Sequence, residues 1–435
     1  MKNLWVEGVR AFRQRAEAPL GKITLLVGQN STGKSTFLAC ARIAWDIATR
    51  GEADFNEQPF ELGTYDSIAH YHGGRGARVT EFTIGAQFPM PHGRRTHQQD
   101  LPGLESRSAA TAISVEGTFR ADHGSPALVR WKIDDGALSA SVIRRNGKIV
   151  VNWTASDSER EFEFDAPVGL PFPYVLRVGP SFSGLKDNDK FLWQLSRSLM
   201  DVERAMIRPS ALAPVRSRPR RTYDPIRDRP SPEGEHIPAL LSRLQAQGGH
   251  QWEGLSQALK KFGQESQLFS EVSVRSLGKE QQGEPFQIQV SIPGQKGPRN
   301  LIDVGYGVSQ VLPILVESAL GPKGQMLLLQ QPEVHLHPQA QAALGTYLAR
   351  AAGAGTAQYI IETHSDYLVD RIAMAIRDSE HPLKAKDVSL LFFEADESGI
   401  CLHRLTFNEN GEIVNAPVGY RQFFLDEQAR FLGVD

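Results

Sequence analysis

Cysteine is nearly absent: Cys40 and Cys401 are the only two among 435 residues, too few for a disulfide framework or a Cys-rich zinc site. Net charge is nearly absent too, at −2. That excludes a globally basic nucleic-acid binder and leaves room for a local basic face. No apolar run approaches the roughly 20 residues needed to span a bilayer. The opening Met1-Lys2-Asn3-Leu4-Trp5-Val6-Glu7 meets polar and acidic residues too soon for a secretory signal. No short repeat recurs, and no heptad pattern is sustained over many turns. These absences predict a cytoplasmic protein with no membrane segment. The length predicts two lobes, or one core with large insertions.

What is present is concentrated at Gly28-Gln29-Asn30-Ser31-Thr32-Gly33-Lys34-Ser35-Thr36, which fits G-x-x-x-x-G-K-[ST]. Residues 22–27 predict a short buried strand before it. Residues 37–47 predict a helix after it, with Phe37, Leu38, Ala41, Ile43 and Ala44 apolar. Glycines let the backbone wrap a phosphate chain, and the helix N-terminus offers its free N–H groups to the anion. Lys34 then neutralises the β- and γ-phosphates, and the Ser35 hydroxyl ligates Mg²⁺. A glycine turn with a fortuitous lysine is the bland alternative, and it leaves the flanking strand and helix unexplained.

Between residues 51 and 180 the texture changes. Period-two runs at 79–84, 112–119 and 128–133 predict antiparallel strands. The polar stretch 89–108 predicts a long surface loop, and 187–207 has helical period, suiting an arm or lid. A basic connector, Pro214-Val215-Arg216-Ser217-Arg218-Pro219-Arg220-Arg221-Thr222-Tyr223, precedes helical periodicity at 237–269 and a strand at 286–292. From 301 onward helix and strand alternate: helix 311–319, strand 326–329, helix 338–352, strand 357–361, and a helix from 365 with Ser365 as N-cap. Alternation of this kind predicts a parallel sheet with covering helices. The expected divisions are residues 1–50 and 301–435 as two parts of one head, 51–180 as a β-rich lobe, and 181–300 as a helical arm and connector.

A second motif lies at Gln325-Met326-Leu327-Leu328-Leu329-Gln330-Gln331-Pro332-Glu333-Val334-His335-Leu336-His337-Pro338. With the P-loop it resembles the hydrophobic-strand, acidic-pair, Pro-Glu-x-His-Leu-His-Pro motif of ABC-type ATPases in the RecF, SMC and OLD group. Asp303-Val304-Gly305-Tyr306-Gly307-Val308-Ser309-Gln310 is similar to that group's signature segment, and Glu362-Thr363-His364-Ser365 to its switch-histidine segment. Residues 60–66, the run 214–223 and residues 417–424 resemble the OLD-like branch of AAA family ATPases. The resemblance implies an α/β P-loop NTPase: an ABC-ATPase-like head with a mixed sheet plus an inserted β-rich and helical region.

The same resemblance assigns roles. Gly307 and Ser309 would face the nucleotide bound by a second subunit, so ATP would be sandwiched head to tail. His364 would meet the γ-phosphate or its water; a hydrogen-bonded loop histidine is the plainer reading. Gln58 would be the Mg²⁺-sensing glutamine, and Arg10, Phe12 and Arg13 would pack the adenine and ribose. Family members carry acids where Gln330 and Gln331 stand. A carboxylate at the first orders Mg²⁺ by its charge, and one at the second orients or deprotonates the water. Three readings stay open: slow hydrolysis with ATP used as a clamp, compensation by Glu333 or a partner residue, and an introduced Glu→Gln trap. His335 and His337 would share a face if extended, and with Glu333 and His364 they could be read as metal ligands. The Arg216-Arg218-Arg220-Arg221 cluster fits either nucleic-acid phosphates or a solvated basic loop.

ATP and Mg²⁺ are thus the expected cofactors, and a homodimer or higher homo-oligomer the expected state. The span after His364 leaves no room for a fused nuclease, which predicts a separately encoded effector, a nuclease or toxin. Two functions follow: the ATPase of a prokaryotic anti-phage system similar to Septu or PARIS, or a RecF-like ATPase that clamps DNA ends. A non-hydrolysing scaffold is a variant of either.

Overall fold

Alternating apolar residues build one sheet of this protein, and unbroken apolar runs build another. The computed structural model describes residues 1–74, 76–90, 111–145, 147–155, 158–165, 171–175, 197, 199–204, 207–224, 229–278, 284–378, 382–396, 399–422, 426, 429–430 and 432. Most of the polar stretch 89–108 lies outside the described residues, as does most of the arm expected at 187–207, of which 197 and 199–204 are helical. The chain forms two compact units. One comprises Met1–Leu20, Ser31–Arg208 and Ala395–Leu402; the other comprises Gly21–Asn30, Pro209–Glu394 and His403–Asp435.

The first unit carries an eight-stranded antiparallel sheet. Its strands are β1 (Asn3–Glu7), β2 (Ala16–Pro19), β4 (Phe82–Pro89), β5 (Ala112–Asp122), β6 (Ser125–Asp134), β7 (Leu138–Arg145), β8 (Lys148–Ala155) and β9 (Ser158–Asp165). They run in the order β2-β1-β4-β5-β6-β7-β8-β9. The strands read from residues 51–180 therefore share a sheet with β1 and β2. Helix α1 (Lys34–Thr49) packs on this sheet. Gly117 makes room for the Ile47 side chain, and the Trp131 indole N–H donates to the Ile47 carbonyl at 3.0 Å. Phe55, Phe82 and Phe119 pack ring against ring at 5.0–5.7 Å between centroids. A single turn, α2 (Tyr65–Ile68), follows the loop at 54–64.

The second unit is built on a seven-stranded sheet, β10-β14-β15-β3-β16-β17-β18. Its members are β3 (Ile23–Gly28), β10 (Ser210–Leu212), β14 (Gln325–Gln330), β15 (Ala357–Glu362), β16 (Val388–Asp396), β17 (Gly399–Phe407) and β18 (Ile413–Val414). The pairs β10–β14, β14–β15, β15–β3 and β3–β16 are parallel. β14 is buried at every position and β3 at all but the last, as expected of parallel strands covered on both faces. The covering helices are α3 (Ile237–Gln247), α4 (Gly249–Ser266), α5 (Tyr306–Leu320), α6 (Pro338–Gly353) and α7 (Asp366–Arg377). A small antiparallel sheet of β11 (Glu271–Ser276), β12 (Phe286–Ser291) and β13 (Arg299–Asn300) adds to the same core. Ser365 caps α7, its hydroxyl accepting from the Leu368 N–H at 3.1 Å. Among the described residues no helix is long and apolar enough to cross a membrane.

Candidate functional site

Parallel strands bring their C-terminal ends to one edge, which is where open α/β sheets bind ligands. Gln330 lies opposite Glu362, and Glu362 opposite Leu26. Three segments therefore leave one edge of the second unit: Gly28–Asn30, the turn 331–337, and Thr363–Ser365. Gly28 has φ +135°, and a Cβ there would sit 2.2 Å from the Phe393 carbonyl oxygen. The close backbone of β16 leaves no room for a side chain where the loop starts.

The rest of the P-loop opens α1 in the first unit. Gly33 is left-handed at φ 90°, ψ 6°, and the helix begins at Lys34. Thr32, Lys34 and Thr36 are buried, while Ser35 is exposed. Under the loop lies Phe12, 1% exposed, with its ring where a Gly33 Cβ would go. Phe12 is therefore a floor for the loop, and not the base-stacking ring expected of it. Arg10 is likewise committed. Its guanidinium donates to the Ser67 carbonyl, Thr36 Oγ1 and the Leu62 carbonyl at 2.9–3.2 Å, and burial lowers its pKa. Of the three residues expected around adenine, Arg13 is the exposed one.

Gln58 is exposed on the 54–64 loop. Its carbonyl accepts from Arg42 Nη1 of α1 at 2.8 Å, and Arg42 Nη2 donates to the Glu57 carbonyl. Arg208 forks onto Asp46 of α1 at 2.8 and 3.0 Å and also onto the Glu57 carboxylate. The paired carboxylates raise the Arg208 pKa, and the Arg208 hydrogen bond lowers that of Glu57. Two arginines thus tie the Gln58 loop to the helix that carries Ser35.

In the second unit, Gln330 is 9% exposed and its Oε1 has no hydrogen-bond partner. Gln331 is left-handed at φ 40° and gives its N–H to the Glu362 carbonyl at 2.8 Å. Glu333 accepts from the His364 N–H through Oε1 at 2.7 Å, and its Oε2 is buried without a partner. Desolvation raises the Glu333 pKa; the His364 N–H, the Thr363 hydroxyl and Arg216 pull it back. The unpartnered Gln330 amide oxygen at this strand end suits a hydrated divalent cation, so it fits Mg²⁺ as a neutral oxygen donor.

Gly307 and Ser309 fall in the first turn of α5, which begins five residues before the expected start of that helix. The Ser309 hydroxyl donates back to the Tyr306 carbonyl at 2.8 Å. His335 and His337 do not share an extended face. Residues 332–335 form a turn, in which His335 is left-handed at φ 65°. The His335 ring lies against Tyr306 at 5.5 Å, and His337 caps α6, accepting from the Gln339 N–H. Among the described residues no group of three or more His, Cys, Asp or Glu could hold a metal ion.

The basic connector is no continuous patch. Arg216 is 2% exposed, its N–H donating to Gln310 Oε1 at 3.0 Å. Arg221 forks onto Asp303 at 2.6 and 2.9 Å. Arg218 and Arg220 stay exposed, lining a cavity of about 400 Å³ with Tyr223 and Glu235. Arg216 and Gln310 are the residues that sequence reasoning misplaced or passed over. The available signal was the short apolar run 211–213, whose first two residues lie in β10 (Ser210–Leu212), parallel to β14, which puts Arg216 past its C-terminal end.

Residues 206–370 match the family model described as "AAA domain, putative AbiEii toxin, Type IV TA system". That span runs from β10 and the connector through α5, β14 and β15 to the His364 turn and the start of α7, and does not include the P-loop. The fold is that of an ABC-type P-loop ATPase. Solved structures resembling the chain include an SMC head bound to the C-winged helix domain of ScpA, 9% identical over 94% of this chain and 98% of that one, TM-score 0.49. Another is the SMC head domain from Thermotoga maritima, 12% identical over 92% and 97%, TM-score 0.41. A third is an Smc head with an extended coiled coil from Pyrococcus furiosus, bound to the C-terminal domain of ScpA, 9% identical over 98% of each, TM-score 0.44. No curated protein matches the chain. The ATPase fold rests here on the P-loop, the strand order and the family match.

Proposed function

We propose that this chain binds ATP with Mg²⁺, hydrolyses it slowly, and acts as a dimeric nucleotide switch in an anti-phage defence system with a separate nuclease or toxin as effector. The observation that carries the reading is a complete P-loop paired with an amide-ended β14. Lys34 opens α1 beside an exposed Ser35, whereas Gln330 and Gln331 stand at the strand end and Glu333 is the one carboxylate between 325 and 338.

Phosphoryl transfer depends mainly on positioning and charge neutralisation. Lys34 neutralises the β- and γ-phosphates, and the loop amides from Gln29 to Thr36 orient them. The Ser35 hydroxyl, with Gln58 and Gln330 as neutral oxygen donors, would hold Mg²⁺, which would supply further charge neutralisation. Gln331 brings no basicity, so general-base assistance of about 10²–10⁴-fold falls to Glu333 or is lost. His364 senses the γ-phosphate, Arg13 lies beside the base, and Gly307 with Ser309 completes the site of the other subunit. The toxin and type IV toxin–antitoxin description of the matching family supports a defence setting.

Light scattering of the purified protein tests the switch. Mass should double with ATP and Mg²⁺ and stay monomeric for Lys34→Ala; a mass unmoved by nucleotide rejects it. The exposed Arg218 and Arg220 favour one alternative, a RecF-like clamp on DNA. That alternative fails if DNA affinity is absent at low salt with ATP present.

A further inference from the structure

Four buried polar atoms without hydrogen-bond partners surround the end of β14: Arg216 Nε and Nη1, Gln330 Oε1, and Glu333 Oε2. The Arg216 backbone is gripped by Gln310, which accepts its N–H at 3.0 Å and reaches its carbonyl through Nε2 at 3.5 Å. Gln310 is fully buried on α5, next to Ser309. The guanidinium itself reaches only the Gln330 carbonyl, through Nη2 at 3.5 Å. Burial pushes its pKa down to about 10, and Glu333 is the one charge acting against that shift.

An arginine kept for stability has its donors occupied, since an unsatisfied buried charge is costly and an apolar side chain of similar size is often at least as stable. Arg216 has the opposite character: a fixed backbone, a desolvated charge, and idle donors on a guanidinium that reaches the Gln330 carbonyl, three residues before a carboxylate with an idle oxygen. With amides at 330 and 331, Glu333 is the single carboxylate of that strand end.

We infer that Arg216 is a positioning residue for Glu333, its charge holding the carboxylate with Oε1 on the His364 N–H and Oε2 uncommitted for the reaction. This deepens the ATPase reading and rests on it for the role of Glu333. Arg216 lies between α5, which carries Ser309, and the strand end that carries the carboxylate, so the order of the carboxylate depends on the seating of α5.

The test uses Arg216→Met, Arg216→Lys and Glu333→Gln in the full chain, singly and with Arg216→Met and Glu333→Gln combined. Arg216→Met should melt no lower than the unaltered protein, while kcat falls about tenfold or more and KM for ATP stays within about twofold. Added to Glu333→Gln it should cause no further loss, since the two act as one unit. Amide exchange at His364 should quicken about tenfold in Arg216→Met while residues 326–329 stay protected. Arg216→Lys, which keeps the charge, should preserve the His364 protection. Unchanged exchange at His364 in Arg216→Met overturns the inference, and so does a kcat loss that adds to that of Glu333→Gln. If the unaltered protein turns over no ATP, the hydrolysis reading falls, and exchange at His364 still decides the role of Arg216.

Discussion

Alanine at Gly33 meets two separate obstacles. The residue is left-handed at φ 90°, a conformation costing an L-residue about 1–2 kcal/mol. Its new Cβ would also lie 2.8 Å from Phe12 Cζ and 2.9 Å from Cε2. The ring has little room to retreat: Phe12 is buried, its backbone exchanges hydrogen bonds with Val9 at 2.8 and 3.1 Å, and Phe37 lies 6.3 Å away. Forcing a methyl into such a place costs about 1–3 kcal/mol. The expected destabilisation of Gly33→Ala is thus about 2–5 kcal/mol, a large share of the 5–15 typical of a domain, and ATP affinity should fall with it. Urea unfolding of Gly33→Ala, Phe12→Leu and the double variant separates the parts. In the Phe12→Leu background, Gly33→Ala should cost only the backbone share, leaving a coupling of about 1–3 kcal/mol. Additivity within about 0.5 kcal/mol would show that Phe12 does not floor the loop. Gly305→Ala is the control: no atom lies within 4 Å of its Cβ and its φ is −58°, so the change should stay within about 0.5 kcal/mol.

Two further outcomes follow from buried charge. Arg208→Ala leaves the buried Asp46 with Arg50 at 3.5 Å and the charge of Arg42, and leaves Glu57 with Arg42 at 3.8 Å; urea unfolding should show a loss of about 2–4 kcal/mol, and Asp46→Asn in the same chain should recover part of it. Glu333 has a folded pKa raised by desolvation, so its ionised form costs stability above that value. Glu333→Gln should therefore be the more stable protein at pH 7, with the advantage vanishing as pH falls through the raised value to the ordinary carboxylate range; a pH-independent difference in melting temperature would contradict the assignment.

The P-loop, the alternation from 301 onward and the Ser365 cap were legible because each rests on local chemistry: a glycine spacing, an apolar period, a hydroxyl before a helix. The fate of Phe12, Arg10 and Arg216 was not, since each is decided by partners distant in sequence. Phe12 is placed by Gly33, Arg10 by Leu62 and Ser67, and Arg216 by Gln310 and Gln330. A run of four arginines looks like one patch in sequence. In three dimensions β10 carries the first inside while Asp303 takes the last. The histidine pair misled for a similar reason: alternation implies a shared face only in extended chain, and the left-handed His335 breaks it.

In the proposed function this chain is well equipped to hold ATP and poorly equipped to hydrolyse it. The direct measurement is bound nucleotide per chain and phosphate release in one sample, for the unaltered protein, Lys34→Ala, and Gln330→Asp with Gln331→Glu. Close to one ATP retained per chain with slow release, no retention in Lys34→Ala, and release faster by about 10²-fold or more in the acid-restored protein are the predicted results. Brisk release from the unaltered protein, abolished by Lys34→Ala and unchanged by restoring the acids, would contradict it.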